Sequence, residues 1–491
     1  MIGILIDKPS FSAAKDGHLL SGFEQNFLME KCARAGLTAN DIKVMKLDEY
    51  DPAINMIVTM GELPLRHLTC KKSIWKWHLS PLDGLVARKN RVVPTFDFTQ
   101  IWKDWHLGLY FEIAIKRAAQ NNQPGPWIRK EERYVLGPSP DEAIARMESL
   151  LTSPPEWFSI DIETGRNQIN TFGVAYSPHD AIAVKALPEG IPTSAFYKLW
   201  DCIRGICESD VPKVMQNGIY ERMYLSRYGI QVNNFKHDTM CAMKFLWPEL
   251  EKGLDNVGRI YTMEPYWKDD GKVASEEGKR KDWGDIRDWQ RHFVYNCRDT
   301  TNTLIAMHNQ RQDLSQRGLL DLYDNYLARL FNPVYEMCAR GLPLDIGKQK
   351  QLIAEYEAKS AELVKQLSVP INPRSTKAKA KLLKEKGYVL PTKRATGKES
   401  TDELSLKKLR LKYPNDKDLQ ILLEIAKIEK ALASYLRVKT FPDNKIRFMI
   451  DPCSTETFRM SSGKDPWDGG FNVQTLTEEA RQMIEWGDSD G

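Results

Sequence analysis

At 491 residues, with 42% hydrophobic and 28% charged side chains, the chain has the make-up of a water-soluble protein of about three domains. No apolar run approaches the roughly 18 residues a membrane span needs, and no charged-then-apolar leader opens it, so a membrane partner is not expected and a cytoplasmic location is. The eight cysteines are scattered without a C-x-x-C pair, which argues against a disulfide framework or a zinc knuckle.

In chain order, residues 1–125 predict a small α/β module. Strands at Ile2–Ile6, Ile54–Met60 and Val92–Phe96 alternate with a helix from Phe23 to Ala35 that stops at Gly36. Asn121–Gly125, NNQPG, reads as a linker. Ser139-Pro140-Asp141-Glu142 is a helix start, followed by a Pro154-Pro155 break.

The next strand, Trp157–Gly165 (WFSIDIETG), carries the chain's one D-x-E. Alternate strand residues share a face, so Asp161 and Glu163 should point together, away from Phe158, Ile160 and Ile162. Two adjacent carboxylates repel unless a cation lies between them. Strands at Thr171–Tyr176, Ala181–Val184 and Lys213–Gln216 and a helix at Ala195–Cys207 continue the α/β pattern. A turn, Gln216-Asn217-Gly218, then places Glu221 at the start of a helix. In Phe293–Thr303 (FVYNCRDTTNT) a helix would set Tyr295 and Asp299 on one face. In-line hydrolysis of a phosphodiester uses two divalent ions about 4 Å apart, and carboxylates from separate elements hold such a pair with a preference for Mg2+ or Mn2+.

Beyond residue 320 the pattern is mainly helical: Leu319–Arg340 closed by Gly341, then Gln349–Gln366 and Leu419–Val438. Residues 374–412 hold 13 Lys or Arg against 4 Asp or Glu. An excess of this size suits a phosphate backbone.

Three stretches, WFSIDIETG, QNGIYE and YNCRD, resemble in order and separation the exonuclease motifs of the DnaQ-like 3′-5′ exonucleases, specifically the proofreading domain of family A DNA polymerases. The resemblance implies an RNase H-like α/β domain over 130–320, using two Mg2+ or Mn2+ ions. It makes Asp161, Glu163, Glu221 and Asp299 the metal ligands, Tyr295 the residue that orients the attacking water, and Asn217 a DNA contact. Where the family's second motif has aspartate, this chain has Glu221.

MCARGLPLD (Met337–Asp345) resembles the joint to the polymerase thumb, which implies a mainly helical thumb and the start of the palm over 321–491. Arg374, Ser375, Thr376 and Lys377 resemble the thumb tip. TFRMSS (Thr457–Ser462) and NVQTL (Asn472–Leu476) resemble the thumb-palm segments that meet primer and template in the minor groove, with Arg459, Ser461, Asn472 and Gln474 as DNA contacts. Phe458 stands where the family has glycine.

LTCKKSIWKW (Leu68–Trp77) and VVPTF (Val92–Phe96) resemble later motifs of the uracil-DNA glycosylase superfamily. Asp97 replaces that family's histidine, Asp7-Lys8-Pro9-Ser10 departs from its water-activating loop, and the cysteines of its iron-sulfur members are missing. A catalytically silent accessory or DNA-contacting module is therefore expected over 1–125. This order of modules is most similar to bacteriophage enzymes, which would place the chain in the host cytoplasm.

The family's palm strand, fingers helix and H-D-E turn have no counterpart, and Asp488 and Asp490 read as loop. The expectation is a proofreading exonuclease and DNA-binding part of a family A polymerase, joined by a separate chain carrying palm and fingers. Its rivals are an RNA exonuclease of the same fold and a non-enzymatic DNA clamp.

Overall fold

The computed structural model describes residues 1–85, 90–165, 167–274, 288–393 and 397–485; Asp488 and Asp490 lie outside the described residues. The chain forms two compact units, Met1–Phe331 with Thr455–Arg459, and Asn332–Ser454 with Met460–Gly491.

The first unit contains two sheets. In the smaller, Ile2–Ile6 (β1), Ile42–Lys46 (β2), Met56–Met60 (β3), Leu82–Asp83 (β4) and Arg91–Thr95 (β5) lie in the order β2-β1-β3-β5-β4, parallel except for β4. β1, β3 and β5 are buried along their whole length, which is why they read as unbroken apolar runs rather than alternating ones. Helix α1 (Gly22–Arg34) starts at a capping box: Ser21 Oγ accepts from the Glu24 amide and Glu24 Oε2 accepts from the Ser21 amide. Helix α2 (Leu107–Gln120) buries Phe111, Ala114, Ile115 and Ala118.

The NNQPG stretch is not a free linker. The Arg91 guanidinium donates to the carbonyls of Asn121, Gly125 and Pro126, and Trp127 Nε1 donates to Leu82 O at 2.8 Å. Composition reports backbone freedom but not a distant arginine that satisfies three carbonyls at once.

The larger sheet comprises Arg133–Leu136 (β6), Phe158–Gly165 (β7), Gln168–Ala175 (β8), Asp180–Lys185 (β9), Lys213–Met215 (β10) and Phe235–Asp238 (β11), ordered β11-β10-β7-β8-β9-β6. β7, β8 and β9 are antiparallel neighbours, while β10 and β11 continue parallel to β7. Helices α3 (Pro140–Thr152) and α4 (Thr193–Glu208) pack on each other. The shorter helices α5 (Ile219–Ser226), α6 (Thr239–Leu246) and α7 (Leu254–Tyr261) precede the long α8 (Trp289–Gln316), which lies across β7, β8 and β9. Asp161 pairs with Gly173 across β7 and β8, and any side chain at 173 would run into the Asn296 carboxamide of α8. That bare position lets the helix approach the acidic strand.

The expected continuous helix Leu319–Arg340 is interrupted by a π-helical turn at Tyr323–Leu327 and a 3-10 turn at Ala328–Leu330. Tyr323 is fully buried there, and its hydroxyl meets the backbone N–H and C=O of Asp238. The break re-aims one ring onto the end of β11.

In the second unit, helices α9 (Ile346–Lys365), α10 (Thr376–Glu385), α11 (Glu403–Lys412) and α12 (Lys417–Ala431) enclose a leucine-rich core including Leu352, Leu383, Leu406, Leu409 and Leu422. Asp345, Ser375, Asp402 and Asp416 cap their N-termini.

The two sheets of the first unit are joined by a buried arginine. Arg117 of α2 donates to the carbonyls of Leu79, Ile260 and Thr262. Arg117→Leu should cost about 2–3 kcal/mol, the scale of charged hydrogen bonds lost in the interior. Urea unfolding followed by circular dichroism would read this as an earlier transition, and an unchanged midpoint would show the bridge to be idle.

Candidate metal centre

Asp161, Glu163 and Asp299 each bring a carboxylate oxygen to within 4.8 Å of the others. Two come from alternate positions of β7 and the third from α8, one helical turn beyond Tyr295. Glu163 and Tyr295 are each 9% exposed and Asp299 3%, so these charges are held largely out of water.

Burial first, and then the Asp299 carboxylate, pushes Asp161 up to about 8, against the pull of Lys268 and of the Asn296 amide. Asn296 Nδ2 donates to Asp161 Oδ2 at 2.6 Å. Burial, followed by Asp299, Glu163 and Asp161, drives the Tyr295 hydroxyl well above its ordinary value. It therefore stays protonated near neutrality. Asp299 is held from both sides: Trp267 Nε1 donates to Oδ1 at 2.6 Å and Lys268 Nζ to Oδ2 at 2.6 Å, with Lys268 also 2.9 Å from the Tyr295 oxygen.

Glu221 lies in the first turn of α5 and is buried, but it does not join the other three within that spacing. Its carboxyl is raised well above the usual range, first by burial and then by the Asp161 charge. Glu221 Oε2 has no hydrogen-bond partner among the described residues. The turn before it is fixed by Asp238, whose carboxylate accepts from the amides of Asn217 at 3.1 Å and Gly218 at 2.9 Å while capping α6. Asn217 has φ of 62°, a left-handed conformation that asparagine tolerates better than most residues.

Three close carboxylates and a fourth, unpartnered buried oxygen nearby form a hard, oxygen-only donor set. It fits Mg2+ or Mn2+ and suits softer metals poorly. Asp161, Glu163 and Asp299 would hold the ion.

The expected DNA contacts are spread over both units. Arg374 is exposed, yet its Nε donates to Glu429 at 2.7 Å; Ser375 Oγ is the cap of α10, and Thr376 and Lys377 are exposed in its first turn. Lys384 pairs with Glu399, Lys393 with Asp402 and Lys407 with Glu403, all acids of the stretch itself, while Lys386 reaches Asp416 and Asp418 beyond it, so most of the basic excess is left unmatched by these pairs. Arg459 is exposed. Phe458 before it has φ of 59°, in the left-handed region that favours glycine. Ser461 opens the strand Ser461–Lys464, Asn472 Oδ1 accepts from Ser462 Oγ at 2.7 Å and from the Gln474 amide at 3.0 Å, and Gln474 is exposed. In the smaller sheet's domain Asp97 caps the helix Phe98–Lys103, accepting from the Gln100 amide at 2.8 Å.

Four site residues were not found by sequence reasoning: Asn296, Asp238, Trp267 and Lys268. Asn296 could have been, since it sits inside YNCRD and one turn before Asp299. Lys268 and Trp267 lie in an aperiodic stretch, EPYWKDD, that carries no spacing signal.

No protein-family model matches the chain. Among solved structures, the POL domain of Pol1 from M. smegmatis, in complex with DNA primer-template and dNTP, is similar with a TM-score of 0.47 and 16% identity. The match covers 71% of this chain and 57% of that one, so the chain spans little more than half the length of that structure.

The state of Asp161 predicts a pH dependence. Its folded value is raised from 3.8 to about 8, so the folded chain keeps a proton that the unfolded chain releases. Without a divalent ion, stability should fall as pH rises through that window. Thermal melts in EDTA should show the midpoint declining from about pH 4 to about pH 8, and Mg2+ should restore most at the alkaline end. Flat profiles with and without the ion would count against a carboxylate metal centre.

Proposed function

We propose that the chain is a metal-dependent 3′-5′ DNA exonuclease, the proofreading and DNA-gripping part of a family A DNA polymerase of bacteriophage type. The observation that carries this reading is the meeting of Asp161, Glu163 and Asp299 beside the Tyr295 hydroxyl, because four residues from two distant stretches converge in the order the motifs require.

Bound Mg2+ or Mn2+, two ions in this reading, would supply Lewis acidity that activates water and steadies the leaving oxygen. Asp161, Glu163 and Asp299 would hold the metal, with Glu221 the further ligand that the second motif supplies. The protonated Tyr295 hydroxyl orients the attacking water beside the scissile phosphate. Asn217 contacts the frayed strand. Arg374, Ser375, Thr376, Lys377, Arg459, Ser461, Asn472 and Gln474 supply phosphate and minor-groove contacts to duplex DNA, and the first sheet's domain is an accessory module without chemistry of its own.

A second reading, a DNA clamp without hydrolysis, is favoured by two observations: Glu221 stands outside the close carboxylate group, and Lys268 already pairs with Asp299.

Incubation with 3′-labelled single-stranded DNA and Mg2+ distinguishes them. The parent should shorten the strand stepwise from the 3′ end, and Asp161→Ala should be slower by at least about a hundredfold. RNA of the same sequence should be the poorer substrate. Intact DNA binding with no cleavage would establish the clamp in place of the nuclease.

A further inference from the structure

We propose that a cavity between the smaller sheet's domain and α7 binds a small organic cation rich in N–H donors, a guanidinium or a primary amine. The cavity, of about 400 Å3, is lined by Trp75, His78 and Tyr110 on one side and by Glu249, Glu251 and Asn256 on the other. Its volume lies in the range of small-molecule sites, and it shares no residue with the carboxylate cluster.

Two bare acceptors carry the inference. His78 is 3% exposed, and its Nδ1 lies 3.3 Å from the Ile74 carbonyl oxygen and 3.1 Å from that of Trp75. Carbonyls only accept, so Nδ1 carries the ring proton. Burial, and then the nearby Arg259 charge, lowers the imidazole to about 3, which keeps the ring neutral and leaves Nε2 as an acceptor. Asn256 is 2% exposed, and its Nδ2 donates to the Glu251 carbonyl at 2.7 Å, which leaves Oδ1 as an acceptor too. Asn256 stands close enough to act on the imidazole, yet neither Nε2 nor Oδ1 has a hydrogen-bond partner among the described residues. Two acceptors cannot satisfy one another, and a buried polar atom left unpaired is costly. A ligand that donates to both removes that cost.

The charges around the cavity select a cation. Among the described lining residues, Asp104, Glu249, Glu251 and Asp255 bring four carboxylates, against Arg259 as the one fixed cation. Arg259 is already committed, with Nη2 on Asp255 at 2.8 Å and Nε on the Lys76 carbonyl at 3.0 Å. Such a balance repels phosphates and attracts positive charge. Trp75, 57% exposed, adds an accessible π face of the kind on which ammonium and guanidinium groups settle. A planar guanidinium suits the site best, because its fork of N–H groups can serve two acceptors at once.

The test is titration calorimetry of agmatine, with putrescine as the diamine arm, into the full chain. Mg2+ is present throughout, so that the carboxylate cluster does not compete for the probe. Agmatine should bind one per chain in the submillimolar range, and tetramethylammonium, a cation without N–H donors, at least about tenfold more weakly. Glu251→Gln, an exposed change that leaves the core untouched, should weaken agmatine about threefold. His78→Phe and Asn256→Leu should abolish binding, with circular dichroism checking that each variant is folded. Submillimolar putrescine binding without agmatine binding would assign the site to primary amines within the same class. No binding of either amine, or an agmatine affinity that Glu251→Gln and Asn256→Leu both leave unchanged, would overturn the proposal. Tetramethylammonium binding as tightly as agmatine would do so as well, since the two acceptors would then play no part.

Discussion

Carboxylates brought within 4.8 Å of one another and withdrawn from water repel strongly, and the larger sheet's surroundings can be read as the means of tolerating that repulsion. One answer is protonation, which burial and the Asp299 charge impose on Asp161. Another is donation: Asn296 to Asp161, Trp267 and Lys268 to Asp299. The backbone provides for both, because Gly173 opposite Asp161 leaves room for α8 to bring Asn296, Tyr295 and Asp299 down onto the strand.

The smaller sheet's domain enters this balance although it contributes no carboxylate to the cluster. Arg117 holds the carbonyls of Ile260 and Thr262, and Ser80, Trp77 and Lys76 hold Tyr266 and Asp269. The segment that carries Trp267 and Lys268 is therefore braced from outside the larger sheet. In that domain Asp97 caps a helix, while other residues fix a neighbour's loop.

The second unit pairs part of its charge locally. Lysines along α10 and α11 pair with acids of the same unit, and Lys386 bridges Asp416 and Asp418 at the start of α12. The exposed pairs, Lys384 with Glu399 and Lys407 with Glu403, contribute little stability and are readily exchanged, whereas Lys386 meets a buried Asp418. The stretch 374–412 remains basic, since Glu399, Asp402 and Glu403 belong to it and are already counted in its 13-to-4 balance.

The elements with strong local signals were legible in the amino-acid sequence. Buried parallel strands such as β1 and β3 announce themselves as apolar runs, the Ser139-Pro140 start of α3 as a cap, and Asp161 with Glu163 as one face of a strand. Tyr295 and Asp299 followed from helical spacing. These features depend on interactions within a few residues, which periodicity and capping chemistry encode directly. Tertiary structure alone decided the rest. The NNQPG stretch is pinned because Arg91 reaches it, the helix after Leu319 breaks because Tyr323 finds the end of β11, and Lys268 meets Asp299 because another domain holds its neighbours in place. Each of these is a contact between residues far apart in the chain, and no local pattern records which distant partner a side chain will meet.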